Sequence, residues 1–147
     1  MKAYLDSSVV LRVVLRAENA LAEWRLIDEH ISSALLRVEC LRTLERLRVE
    51  EKVPDEEIER RKTAANQIIE SVRLLNITPW VLARAAEPFE VTLKSLDAIH
   101  LATAIAWRLQ GNTDLIFATH DQKLARAASA VGFPVLGTPR ATGTSAR

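Results

Sequence analysis

The sequence predicts an α/β domain whose mostly parallel sheet is covered by helices on both faces. Short apolar runs alternate with stretches of helical periodicity, the pattern of strands joined by crossover helices. Gly111 and Gly132 each end a helical stretch immediately before an apolar run, as helix-ending glycines do. The 147 residues are near the size of one domain, enough to hide roughly 70% of the extended-chain surface.

Ala3-Tyr4-Leu5 reads as a first strand, broken by Asp6-Ser7-Ser8. The segment VVLRVVLR then sets Val9, Val10, Val13 and Val14 on one face of a helix. A second helical stretch precedes Ile31, where ISS reads as a strand with Ser32 or Ser33 capping the long amphipathic helix LLRVECLRTLERLRVEE. Glu39 falls in its second turn. Pro54 and the acids Asp55, Glu56 and Glu57 suit a helix start, because Pro fits the first turn and acids complement the positive end of the dipole. That helix is expected to run to about Glu70. VRLLNIT reads as a third strand, and Pro79-Trp80 opens a helix ending near Pro88. Ser95 is the expected cap of the helix carrying Asp97. DLIFAT and FPVLG supply the last two strands, each after a helix. Residues 138–147 are small and polar and read as a disordered tail, leaving 1–137 as the domain. No repeat or interdomain linker is visible.

Lys and Arg total 20 against 19 acidic residues, so the net charge of +1 neither implies nor excludes a polyanionic partner. A lone cysteine, Cys40, excludes an internal disulfide and any zinc site built on several thiolates. No apolar run is long enough for a membrane span and the N-terminus lacks the pattern of a signal peptide, so the expectation is a soluble, cytoplasmic protein with no membrane contact.

In open α/β sheets ligands bind beyond the carboxyl ends of the strands, so the acids to weigh are those that follow a strand or open the next helix. Four qualify: Asp6 after the first strand, Glu39 early in the helix after the second, Asp97 in the first turn of its helix, and Asp121 closing the DLIFATHD segment. Taken singly, each has a bland reading. Asp6 and Asp121 suit helix caps, Asp97 suits a helix dipole, and Glu39 shares its helix with Glu45, Glu50 and Glu51. Taken together, four carboxylates in one cleft would repel unless a cation neutralised them. Mg²⁺ or Mn²⁺ prefers such hard oxygen donors and commonly completes its shell with water and substrate phosphate, which points to phosphoester chemistry. Thr119 and Ser7 stand close enough in sequence to Asp121 and Asp6 to hydrogen-bond a carboxylate or a bound water, though capping serves equally well for both.

These segments resemble the PIN-domain ribonucleases, and in particular the VapC toxins of toxin–antitoxin pairs. The likeness runs through YLDSSVV, SSALLRVECLR, SLDAIHLATA and FATHDQKLARAA, in that order. It implies a three-layer α/β/α sandwich whose acid cluster binds Mg²⁺ or Mn²⁺ and hydrolyses RNA phosphodiesters. Asp6 matches the family's first acid, Glu39 its second, Asp97 its third and Asp121 the acid of its T-x-D motif, with His120 at the variable middle position. The resemblance further implies a homodimer, and a cognate antitoxin that wraps the toxin and obstructs its active site. Asp6 and Asp97 are the first choices for direct ligation, with Glu39 and Asp121 acting directly or through water.

Other residues take plainer readings. His100 sits among Ile99, Leu101 and Ala102 and reads as a packed or capping histidine, and His30 and His120 have no second histidine at ligand spacing. Arg12 and Arg16 on the first helix, with Lys94, Lys123 and Arg126 near the acids, are candidates for phosphate contacts, but solvated surface is the commoner role of such residues. Trp24, Trp80 and Trp107 read as packing residues. Three other functions fit less well. A phosphoacceptor receiver domain wants paired acids after the first strand and a lysine after the last, where this chain has Asp6-Ser7-Ser8 and Gly137-Thr138. A haloacid-dehalogenase-like phosphatase wants an aspartate at Ser8. A PIN-like module that only binds RNA or protein would not need the complete acid set.

Overall fold

The first apolar run becomes the middle of the sheet because its side chains are buried on both faces. The computed structural model describes residues 1–139, and in it β1 (Lys2–Leu5) has Ala3, Tyr4 and Leu5 wholly buried. Ala3 and Leu5 enter one core cluster and Tyr4 the other, as the two-residue period of a strand requires. Beside β1 lie β2 (Glu29–Ser33) on one edge and, on the other, a strand formed by Leu115–Ala118; the outer strands are Arg73–Leu75 and Val135–Leu136. In chain order these are β3 (Arg73–Leu75), β4 (Leu115–Ala118) and β5 (Val135–Leu136), giving the sheet order β3-β2-β1-β4-β5 with every pairing parallel.

Helices α1 (Ser7–Val14), α2 (Leu36–Glu50) and α3 (Asp55–Glu70) cover the face of Ala3 and Leu5. In α2 the buried residues Leu36, Cys40 and Leu44 recur every four positions, which makes one apolar stripe toward the sheet. The opposite face is covered by α5 (Ser95–Leu109) and α6 (Gln122–Ala130), with α4 (Pro79–Ala85) packed on α5. Helix α5 buries Ala98, His100, Leu101, Ala102, Thr103, Ala104 and Ile105, so it is enclosed nearly all round. Three layers result, as expected. Gly111 and Gly132 end α5 and α6 with positive φ, also as expected.

Several local expectations need correction. The helical stretch before Ile31 is only a 3-10 turn, Trp24–Leu26, between irregular turns. The third strand is confined to Arg73–Leu75, and α4 ends at Ala85 rather than near Pro88. Ser95 does not cap α5: the N-cap is Lys94, with no side-chain bond. Nor does either serine cap α2, whose N-cap is Leu35. Ser32 instead donates to Leu5 O at 2.6 Å, tying β2 to β1, and Ser33 Oγ accepts from Leu35 N at 3.1 Å within the turn. The expected tail, 138–147, lies outside the described residues from 140 onward. Among the described residues no helix is long and apolar enough to cross a membrane.

The topology fixes where a ligand can enter. From β1 the chain moves outward through β2 to β3, then returns to the other side of β1 with β4. The two connections therefore diverge between β1 and β4, and the crevice beyond the carboxyl ends of that pair is the topological switch point. Asp6 leaves β1 there, and Thr119 to Asp121 leave β4.

Candidate active site

Asp6 is held in the crevice by both strands. Its N–H donates to Ala118 O of β4 at 3.2 Å, and its carboxylate caps α1, with Oδ1 accepting from Val9 N at 3.4 Å. Ser8 Oγ donates to the same oxygen at 2.5 Å, and Thr119 Oγ1 donates to Oδ2 at 2.8 Å. The residue is 4% exposed. Burial pushes its pKa up from the usual carboxylate range, against the pull of the Ser8 hydroxyl, the His100 charge, the Thr119 hydroxyl and the Val9 amide. Asp6 is thus a cap and a site residue at once.

Asp121 caps α6, accepting from Leu124 N at 2.8 Å, and its own N–H donates to Thr119 Oγ1 at 3.0 Å. The Thr119 hydroxyl, fully buried, therefore joins the two aspartates: it donates to one and accepts from the backbone of the other. The carboxylate it bonds is that of Asp6, not that of Asp121 two residues on. Sequence reasoning missed Ser8. Ser8 Oγ also accepts from His120 N at 3.1 Å, and His120 Nδ1 donates to Gly137 O at 2.7 Å. Gly137 has φ +101°, and a Cβ there would strike the Thr119 carbonyl oxygen and stand 3.0 Å from its carbon. Only glycine lets this last turn close over the T-x-D segment.

Glu39 reaches the crevice from α2. Its Oε1 lies 2.5 Å from His100 Nε2 and its Oε2 accepts from Ser7 Oγ at 3.3 Å. Ser7 was expected beside Asp6; it serves Glu39 instead, because the first turn of α1 rotates successive serines to different partners. His100 is buried as expected, but it is not merely packed: Nδ1 lies 2.7 Å from the Tyr4 hydroxyl on the far side of its ring. An open groove of about 480 Å³ starts at Glu39 and continues along α2, past Arg42, Arg46 and Val49, to Leu96.

Asp97, in the first turn of α5, completes the group. Its pKa is raised first by burial, then by the charges of Asp121, Asp6 and Glu39, partly offset by His100. All three acids therefore lie within electrostatic reach of Asp97, although they come from three other segments of the chain. The grouping is no closer than that: among the described residues no three His, Cys, Asp or Glu side chains are drawn close enough to enclose an ion. The donors themselves are all carboxylate or hydroxyl oxygens, the set that suits a hard divalent cation.

The basic residues are less uniform than their spacing suggests. Arg12 Nη1 donates to Asn19 O at 3.1 Å, a structural contact. Arg16 lies past the end of α1 with φ 51°, so it does not share the helix face of Arg12. Lys94, Lys123 and Arg126 are exposed, Lys94 three residues before Asp97 and Lys123 two after Asp121. Trp24 packs at a tilt on His30, ring centroids 4.5 Å apart, and Trp107 is partly buried, but Trp80 is 46% exposed.

The sequence matches the PIN domain family over residues 3–130. It is also 30% identical, over 136 residues, to Ribonuclease VapC46 of Mycobacterium tuberculosis (strain ATCC 25618 / H37Rv), an alignment covering 90% of this chain and 95% of that protein. With a parallel sheet of this order, acids at its switch point and a family match through nearly all of its ordered elements, the chain belongs to the PIN-domain family.

Proposed function

We propose that this protein is a divalent-metal-dependent endoribonuclease, acting as the toxin of a toxin–antitoxin pair, with Asp6, Glu39, Asp97 and Asp121 as its cation-binding and catalytic acids. The observation that carries this reading is the hydrogen-bond join at the switch point, where the Thr119 hydroxyl donates to Asp6 and accepts from the Asp121 N–H while Ser7, next to Asp6, donates to Glu39; the charges of all three acids act on Asp97. Similarity to a protein named a ribonuclease supports the reaction class. Mg²⁺ or Mn²⁺ in this crevice would supply Lewis acidity and lower the pKa of a water that attacks phosphorus. Asp6 and Asp97 would hold it directly, and Glu39 and Asp121 directly or through water. Thr119 and Ser8 fix the Asp6 carboxylate by donating to opposite oxygens, so its orientation does not depend on the substrate.

RNA is the substrate under this reading, and exposed Lys94, Lys123 and Arg126 are the cations placed to contact its phosphates. A cognate antitoxin would obstruct the crevice, for which the open groove beside Glu39 offers room. Pairing of two copies into a homodimer is checked by sedimentation, and a cytoplasmic location by fractionation. The function itself is tested by cleavage of a mixed RNA pool by wild type and Asp6→Asn, with Mg²⁺ and with chelator. Wild type with Mg²⁺ cleaves and the other combinations do not. Equal cleavage in every case defeats the assignment and leaves a PIN-like binding module.

A further inference from the structure

His100 and Tyr4 are buried polar groups that the proposed reaction does not itself use. The Tyr4 hydroxyl and the His100 ring are 0% and 1% exposed, and they meet Glu39 in one line: Tyr4 Oη, His100 Nδ1, His100 Nε2, Glu39 Oε1, with successive contacts of 2.7 and 2.5 Å. Chemistry fixes the Glu39 end of this line. The buried Tyr4 hydroxyl donates to Nδ1 of a neutral ring or accepts from the Nδ1–H of a charged one. A neutral imidazole that accepts at Nδ1 carries its proton on Nε2, and a protonated ring carries one there too. In either charge state an N–H points at Glu39. Meanwhile the Ser7 hydroxyl donates to the other Glu39 oxygen. The ring itself cannot swing, because it is enclosed by α5 and the sheet and set edge-on to Tyr4 at 5.8 Å between centroids.

We propose that Tyr4 and His100 are positioning residues: they aim the Glu39 carboxylate into the crevice, so that a divalent cation is bound by an acid whose orientation is already set. Glu39 needs such help more than the other three acids. Asp6 and Asp121 are oriented by the helix ends they cap, and Asp97 stands on a short side chain. Glu39 has one more rotatable bond than an aspartate and caps nothing. The inference rests on the proposed metal site, and the experiment separates the two.

Mn²⁺ binding is measured without RNA, by calorimetry, on wild type, Asp97→Asn, His100→Met, His100→Gln and Tyr4→Phe, each checked for folding by circular dichroism. Loss of an outer partner of a ligating group typically costs 10- to 100-fold in metal affinity. His100→Met should therefore weaken Mn²⁺ binding about tenfold or more. Glutamine restores an N–H near the Nε2 position, so His100→Gln should recover most of that loss, which a purely structural role would not predict. Tyr4→Phe keeps the packing but frees Nδ1, and should fall between wild type and His100→Met. Wild-type affinity in His100→Met, or a loss in His100→Gln equal to that in His100→Met, overturns the proposal, while wild-type affinity in Tyr4→Phe removes Tyr4 from it. If His100→Met does not fold, Tyr4→Phe decides alone: weakened binding upholds the proposal and unchanged binding overturns it. Unchanged binding in Asp97→Asn would instead defeat the metal site itself.

Discussion

Replacing Thr119 with Val keeps the shape of a fully buried side chain and deletes one hydroxyl that makes two hydrogen bonds. The first, 2.8 Å to the buried Asp6 carboxylate, is charge-assisted and worth about 1.5–3 kcal/mol. The second, 3.0 Å from the Asp121 N–H, is neutral, on the order of 1 kcal/mol, and lies beside an exposed residue where water can replace it. The expected loss is therefore roughly 2–4 kcal/mol at neutral pH, which for a domain of this size lowers Tm by about 5–15 °C. Its pH dependence identifies the cause. Asp6 has a folded-state pKa above its ordinary value of about 3.9, so between those values the native state binds more protons and stability falls as pH rises. Thr119 limits that rise, and without it the window extends further up in pH. The deficit of Thr119→Val should thus be largest near neutrality and shrink as Asp6 becomes protonated. Urea unfolding of both proteins across the acid range, with chelator present, measures this. A deficit below about 0.5 kcal/mol, smaller than a typical buried hydrogen bond, or one that does not change with pH, would refute the reasoning.

Other outcomes follow from the same geometry. Asp97→Asn removes a charge that burial and three neighbouring acids disfavour, so without metal it should melt above wild type at neutral pH, and the difference should vanish once acid protonates Asp97. Adding Mn²⁺ should raise the Tm of wild type but not of this variant. Gly137→Ala forces a Cβ into the Thr119 carbonyl at positive φ, and should cost several kcal/mol in thermal unfolding or leave the protein insoluble; a wild-type Tm would show that the turn yields freely. Burial, with the charges of Glu39 and Asp6, pushes the Cys40 thiol up to about 12, so it should resist alkylation at neutral pH until urea exposes it.

What could be read before the structure was whatever depends on neighbours in sequence. The apolar run Ala3-Tyr4-Leu5, the four-residue stripe of α2 and the glycines ending α5 and α6 are local patterns, and each became the expected element. The four acids stand out in the sequence because strand ends and helix starts are local too. What escaped depended on distance or rotation. The Tyr4–His100 contact spans 96 residues, so nothing in SLDAIHLATA announces it. Ser7 and Ser8 are indistinguishable as letters, and only the turn of α1 sends one to Glu39 and the other to Asp6. The serines before α2 look like caps, yet the cross-strand bond of Ser32 to Leu5 and the tight turn at Ser33 take both hydroxyls first. The stretch before β2 has helix-forming letters but fully buries only Leu21 and Ile27, with Trp24 partly buried, too little apolar surface to hold more than a 3-10 turn.

Soaking crystals in Mn²⁺ and collecting anomalous diffraction tests most directly whether these acids act as one site. The account predicts a peak in the crevice between β1 and β4, bounded by Asp6, Glu39, Asp97 and Asp121 and absent in Asp97→Asn crystals. A peak elsewhere on the molecule, with the crevice empty at saturating Mn²⁺, would contradict it.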